Sequence, residues 1–151
     1  MSDGIGHWLQ LAARVHRARL ALAMDDLGIF PGQEQVILHL ARDETMTAGA
    51  LADVLKVRPP TISKTLQRLS AQGLIERRDH AEDARKMTLV LSREGHRRAE
   101  ALAERLETVE AEMAELFDGK DAKRLRKLLK RVAKGLGSIS LADSTDADDV
   151  D

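Results

Sequence analysis

Apolar residues recur at helical spacing along most of this chain, and the spacing breaks in one place. Ile5 to Leu27 carries Trp8, Leu11, Ala12, Val15, Leu22 and Ala23 as an apolar set and stops at Gly28, which predicts a long first helix. A second helix is expected over about 31–41, opened by Pro31, with Val36, Ile37 and Leu40 inward. Thr47 is a good N-cap for a short third helix, TAGALADVL. A tight turn at 56–58 then leads into the stretch VRPPTISKTLQRLSAQG. Pro59 and Pro60 sit where a helix begins, because first-turn N–H groups have no intrahelical partner. Ile62, Leu66 and Leu69 follow on one face, and Gly73 is the stop. Two short helices joined by so tight a turn have the form of a helix-turn-helix.

The break comes after Gly73. Leu74 and Ile75 are apolar, 76–86 is almost entirely polar, and Met87 to Leu91 is rich in β-formers. This reads as a strand, a charged loop and a returning strand. A helix-turn-helix followed at once by a hairpin with a basic tip is a winged helix. Ser92 then caps a long helix with Glu94 in its first turn, and Leu102, Leu106, Val109, Met113 and Leu116 fall on a heptad seam. Gly119 interrupts it. Asp121 is expected to start a last helix with Leu125, Leu128, Leu129, Val132 and Leu136 on one stripe, ending near Gly135 to Gly137. The tail from Ser138 is polar and acidic and is expected to be disordered.

The predicted architecture is mainly α, a winged helix-turn-helix with a small β-hairpin wing. N- and C-terminal helices form a homodimerisation domain. Residues 1–30 would be the N-terminal dimerisation helix, 31–91 the DNA-binding winged helix, 92–137 the C-terminal dimerisation helices and 138–151 the acidic tail. The flanking helices carry more apolar stripe than a small winged helix can cover. An intrachain bundle would use that stripe. A two-fold dimer would use it too, and would also set two focal helices about one DNA turn apart. The dimer is preferred, with Trp8, Val15, Leu102, Leu106, Val109, Met113, Leu125, Leu129 and Val132 at the interface.

Composition supports helices over a β-sandwich. Of the 151 residues, 43 % are hydrophobic and only 2 % aromatic, and there is no cysteine to form a disulfide, a thiolate zinc site or a redox switch. No apolar run approaches a membrane span and no signal-peptide pattern opens the chain, so a cytoplasmic protein is expected. The net charge of −1 seems wrong for a nucleic-acid binder, but residues 143–151 hold five aspartates and no base. Set those five of the 25 acids aside and the remaining 20 face 24 bases. The excess gathers between Lys56 and Lys86, where Lys56, Arg58, Lys64, Arg68, Arg77, Arg78, Arg85 and Lys86 outnumber Glu76, Asp79, Glu82 and Asp83.

The focal helix carries hydroxyls, an amide and two cations outside its apolar face, and no acid. A helix in a major groove needs donors and acceptors for base edges and cations for phosphates. Enzyme chemistry is poorly represented: there is no phosphate-cradling glycine loop, nucleophile elbow or His-Glu-x-x-His. His7, His16, His39, His80 and His96 are scattered without ligand pairs. No catalytic residue, metal site or cofactor is therefore assigned.

The run from Leu27 to Gly95 resembles the MarR (multiple antibiotic resistance) family of bacterial winged-helix regulators. The resemblance is carried by LGIFPGQEQVILHLARDE, MTAGALADVLKV, RPPTISKTLQRLSAQGLIERR and EDARKMTLVLSREG, in matching order and spacing. It implies a homodimer, usually a repressor, on a near-palindromic double-stranded operator. Many members release DNA when a small aromatic or phenolic ligand binds. By motif position the recognition roles pass to Thr61, Ser63, Lys64, Gln67 and Arg68. Arg85 becomes the wing arginine of the minor groove, and Asp83 the acid that holds it. Family members commonly have two arginines after that aspartate, and here the first is Ala84. Lys86, Arg77 or Arg78 is expected to compensate, and Arg58 is counted among the DNA-binding residues. The second proline, Pro60, removes an N–H and offers an apolar contact to a thymine methyl. His16 or Arg17 on the first helix would meet a ligand carboxylate or phenolate. The competing expectation is a winged-helix protein-interaction module without specific DNA binding, which would not require the acid-free face.

Overall fold

The structure, a computed structural model, describes residues 3–80 and 83–143; for residue 80 and the stretches 83–86 and 138–143 it describes the backbone only. Among the described residues, six α-helices and a three-stranded antiparallel sheet make up the fold: α1 (Ile5–Met24), α2 (Gln33–Asp43), β1 (Met46–Thr47), α3 (Ala48–Leu55), α4 (Pro59–Ala71), β2 (Ile75–His80), β3 (Asp83–Leu91), α5 (Arg93–Ala114) and α6 (Gly119–Asp143). The sheet order is β1-β3-β2. By its internal contacts the chain forms two units, residues 1–109 and 110–151.

The first unit has one hydrophobic core. Met24, Val36, Ile37, Leu40, Leu51, Leu69, Leu74 and Leu102 are completely buried, so the first five helices and the α4–β2 junction all contribute. Each such side chain contributes about 1.5–3 kcal/mol relative to leaving it in water. Leu102 and Val109, expected on a dimer seam, lie in this core and have no surface left for a partner. Leu106 packs against the same cluster. A heptad records that a helix face is covered, and here the cover is the chain itself. The stripe of α1 behaves in the opposite way: Leu20 and Met24 are buried, whereas Trp8, Val15 and Leu22 are exposed.

The helix ends follow local chemistry. The Thr47 hydroxyl accepts from the Ala50 N–H, as an N-cap should. α1 runs into a 3-10 turn over Asp25–Leu27 that ends at Gly28 in the left-handed region. α4 ends in the same manner: Gly73 takes φ 73, and the Leu74 N–H reaches back to the Leu69 carbonyl at 3.0 Å. In the second unit the expected start at Asp121 is corrected to Gly119. The cap is Asp118, whose carboxylate accepts from the Asp121 N–H at 2.8 Å. The expected stop near Gly135 to Gly137 is not taken either, and the backbone of α6 stays helical to Asp143. A mid-helix glycine costs only about 1 kcal/mol, and no proline stands in the way. Residues 144–151 of the expected tail lie outside the described residues.

The hairpin is longer than its apolar ends suggest. β2 and β3 pair from Ile75↔Leu91 through Arg78↔Thr88 and Asp79↔Met87 to His80↔Asp83, so most of the expected charged loop is strand. Backbone hydrogen bonds carry the ladder outward whatever the side chains are. β1 was not anticipated; it pairs Met46 with Leu89 and Thr47 with Thr88.

Three polar attachments fix the α1–α2 connection. Arg105 on α5 makes a bidentate ion pair with Asp26 and donates to the Ala23 carbonyl. Arg98 donates to the Leu27 carbonyl at 3.0 Å. Gln33, only 4 % exposed, accepts from the Phe30 N–H and donates to Gln72.

Two predictions follow from this packing. A methyl built on Gly95 would run into the Leu74 carbonyl oxygen and press on Leu91, so Gly95→Ala should lower unfolding stability by about 2–3 kcal/mol. Gly135, with open space around it, should instead gain about 0.5–1 kcal/mol as Gly135→Ala. Urea titrations at fixed protein concentration compare the two. The second concerns Asp26, whose carboxyl is held below its usual range by hydrogen bonds to Arg105. A depressed folded-state pKa stabilises the protein fully above the unfolded value and is lost as pH falls through the folded value. Wild type should therefore be more stable than Asp26→Asn above about pH 4, and the two stability curves should converge on further acidification.

Candidate nucleic-acid interface

α4 is positioned by the turn before it and the core beneath it. Lys56 closes α3 in the left-handed region, with φ 56, and the Val57 N–H bonds the Ala52 carbonyl at 3.1 Å. Arg58 is the extended N-cap residue of α4, and Pro59 and Pro60 occupy its first turn. Ile62, Leu66 and Leu69 are buried and fix the rotation of the helix about its axis. Helical periodicity then leaves Arg58, Pro60, Thr61, Ser63, Lys64, Gln67 and Arg68 all exposed. Thr65 faces between the two sets, and its hydroxyl donates to the Thr61 carbonyl.

The chemistry of this surface is one-sided. No acidic residue occurs between Asp53 and Glu76. The exposed side chains can donate to and accept from base edges and neutralise phosphates, without an acid to repel the backbone. The positive end of the helix dipole, at Arg58 to Thr61, adds to the attraction for anions.

The hairpin supplies a second basic element. Arg77 and Arg78 are exposed on β2, and the Arg77 guanidinium lies 3.8 Å from the Met87 sulfur. Thr88 braces the ladder by donating to the Arg78 carbonyl. The backbone of β3 passes through Asp83, Arg85 and Lys86, but their side chains lie outside the described residues, as do Ala81 and Glu82 altogether.

The two alternatives expected to meet a ligand, His16 and Arg17, stand next to each other on α1. His16 is half-buried on α1, and Arg17 is exposed, its guanidinium 3.4 Å from the Pro31 carbonyl oxygen. An open groove of about 470 Å³ lies beside the α1–α2 connection, lined by Asp26, Leu27, Gly28, Glu94, Arg97, Arg98 and Ala101, and neither His16 nor Arg17 lines it. Glu94 in that groove is paired with Arg97 and Arg98, whose hydrogen bonds hold its carboxyl below the usual range.

Sequence reasoning missed Gln33 and Gln72. Gln33 precedes Val36 and Ile37 by three and four residues, and Gln72 follows Leu69 by three, so both extend the buried stripe of their helix. A polar residue on such a stripe is the available signal. Exposed apolar side chains lie on both units: Ile5, Trp8, Val15 and Leu22 on α1, and Leu125, Leu128, Leu129 and Leu136 on α6. Val132 is half-buried, as is Met113. Among the described residues no helix is long and apolar enough to cross a membrane.

Comparison with known proteins agrees with this geometry. Residues 27–86 match the sequence profile of the MarR family. The chain is 25% identical over 124 residues to the uncharacterized HTH-type transcriptional regulator YwoH of Bacillus subtilis, covering 82% of this chain and 90% of that relative. Its fold superimposes on MepR of S. aureus, solved in complex with DNA, with TM-score 0.82 and 17% identity over 87% of this chain and 98% of MepR. It also superimposes on Bordetella bronchiseptica BpsR, whose DNA binding is regulated by 6-hydroxynicotinic acid, with TM-score 0.79 and 19% identity over 88% and 95% of the two chains. At these identities the structural likeness is one of fold, and the profile falls on the helix-turn-helix and wing. Over residues 27–86 the chain is thus similar to the MarR family.

Proposed function

We propose that the protein is a cytoplasmic, non-enzymatic repressor that binds a near-palindromic operator as a homodimer. The observation that carries the reading is the acid-free exposed face of α4, set on a buried apolar stripe. α4 enters the major groove with Thr61, Ser63, Gln67 and Pro60 toward base edges. Arg58, Lys64 and Arg68 lie toward phosphates. The wing follows the adjacent minor groove, with Arg85 inserted, Asp83 holding it, and Arg77 and Lys86 on the backbone. The DNA complex of MepR supports this docking.

Residues 1–30 and 92–137 act as dimerisation arms around the winged helix of 31–91. Their contact surface is the exposed apolar set, with Trp8 and Val15 on α1 and Leu125 and Leu129 on α6, joined by the half-buried Val132. Leu102 and Val109 are excluded because their own chain buries them. The regulation of BpsR by an aromatic acid supports a small aromatic ligand as the signal that releases DNA. His16 or Arg17 on α1 is the residue that such an acid would meet.

The docking is tested by titrating salt in mobility shifts on the DNA upstream of the protein's own gene, with random DNA as competitor. Arg85→Ala is expected to weaken operator binding by about 1–3 kcal/mol. Lys64→Ala and Arg68→Ala should weaken it and lower the slope of log K against log salt by about one each. Unchanged affinity in all three would overturn the docking and favour a protein-interaction module. The dimer is tested by light scattering of the double variant Leu125→Glu, Leu129→Glu, which should run as a monomer; a variant that stays dimeric places the interface elsewhere.

A further inference from the structure

The polar residue that closes α4 has an unusual set of partners. Gln72 is the C-cap of the helix, and its side-chain amide makes two bonds away from it. Its Nε2 donates to the Gly28 carbonyl at 2.7 Å, across 44 residues of sequence. Its Oε1 accepts from Gln33 Nε2 at 2.9 Å, across 39 residues. Gln33 is in turn fixed by the Phe30 N–H at 3.0 Å, so the orientation of its amide is determined and Gln72 meets a donor that cannot swing away.

Gly28 itself is held in place. It takes φ 64 at the end of the 3-10 turn, and the carbonyl immediately before it, that of Leu27, accepts from Arg98 of α5 at 3.0 Å. Two consecutive carbonyls of one turn are therefore taken by two different helices: Leu27 by α5, Gly28 by α4. A chain of bonds runs from Arg98 through this turn to the C-cap of α4. The apolar stripe fixes the rotation of α4 but grips it through interchangeable van der Waals contacts. Hydrogen bonds, being directional, fix the tilt and axial position of its C-terminal end.

We propose that Gln72 is a positioning residue for DNA recognition, an inference that rests on α4 being the recognition helix. Gln72 touches no base. It sets the height and tilt at which the exposed face of α4 is offered to a major groove. Base-edge hydrogen bonds depend steeply on distance and angle, whereas phosphate attraction tolerates small displacements. Cutting the strap therefore costs selectivity before it costs general DNA affinity.

The test uses the full-length protein and a duplex enriched by the wild type from a random pool. Affinity for that duplex and for random DNA is measured for wild type, Gln72→Ala and Gln72→Glu, alongside urea midpoints. Gln72→Glu keeps the length and the acceptor for Gln33 but cannot donate to Gly28 when ionised. Both variants are expected to lose about tenfold in the ratio of selected to random affinity, with random-DNA affinity within about twofold of wild type. A residue with only a structural role would move the urea midpoint and leave that ratio alone. Retention of the wild-type ratio in either folded variant overturns the inference while leaving the regulator reading intact. Failure of the wild type to enrich any duplex overturns that reading itself, and the positioning role with it.

Discussion

The close approach of the N-terminus of α5 to the turn that ends α4 is the constraint on which the rest of the winged helix depends. Gly73 turns the chain in the left-handed region, and the two carbonyls that follow are taken by Ser92: its hydroxyl donates to Gly73 at 2.6 Å, and its N–H to Leu74 at 3.0 Å. The same hydroxyl accepts from the Gly95 N–H and so caps α5. One serine thus ends the wing, starts a helix and ties both to the exit of α4. Gly95 is required because the Leu74 carbonyl occupies the place of its side chain. The segment LVLSREG, which carried much of the family resemblance, is the sequence form of this junction.

With that end fixed, α4 serves two purposes with one periodicity. Ile62, Leu66 and Leu69 spend themselves on the core, and Thr61, Ser63, Lys64, Gln67 and Arg68 stay exposed for chemistry. Placing the cations and hydroxyls there adds no burial cost, since none of them leaves water. The absence of acid over so long a stretch has no folding rationale, because solvated helix faces are usually mixed in sign. Such a face is chemically suited to a polyanionic partner.

The helices and the wing were legible in the sequence because periodicity and caps are local. Thr47, the Pro59–Pro60 pair and Gly73 each act within a few residues of where they stand, as does Ser92 in capping Gly95. What was not legible is settled at a distance. β1 is two residues long and exists only because β3 lies beside it. The heptad of α5 announced a covered face, but not that Leu102 and Val109 are covered by their own chain. Arg98 and Arg105 meet carbonyls 71 and 82 residues away, and no spacing rule connects them. In the site, the exposed face of α4 could be read from composition alone, whereas Gln72 could not. Its importance comes from a turn on the far side of the sequence.

The sheet has a further consequence for how copies of this protein meet. Its order leaves β1 and β2 as edges. β1 is too short to template another strand. β2 presents Glu76, Arg77, Arg78 and Asp79, a row of charge that an incoming strand would have to desolvate. Edge-to-edge addition is therefore blocked on both sides. The hairpin can stand exposed, and copies of the protein can crowd together, without polymerising through their wings.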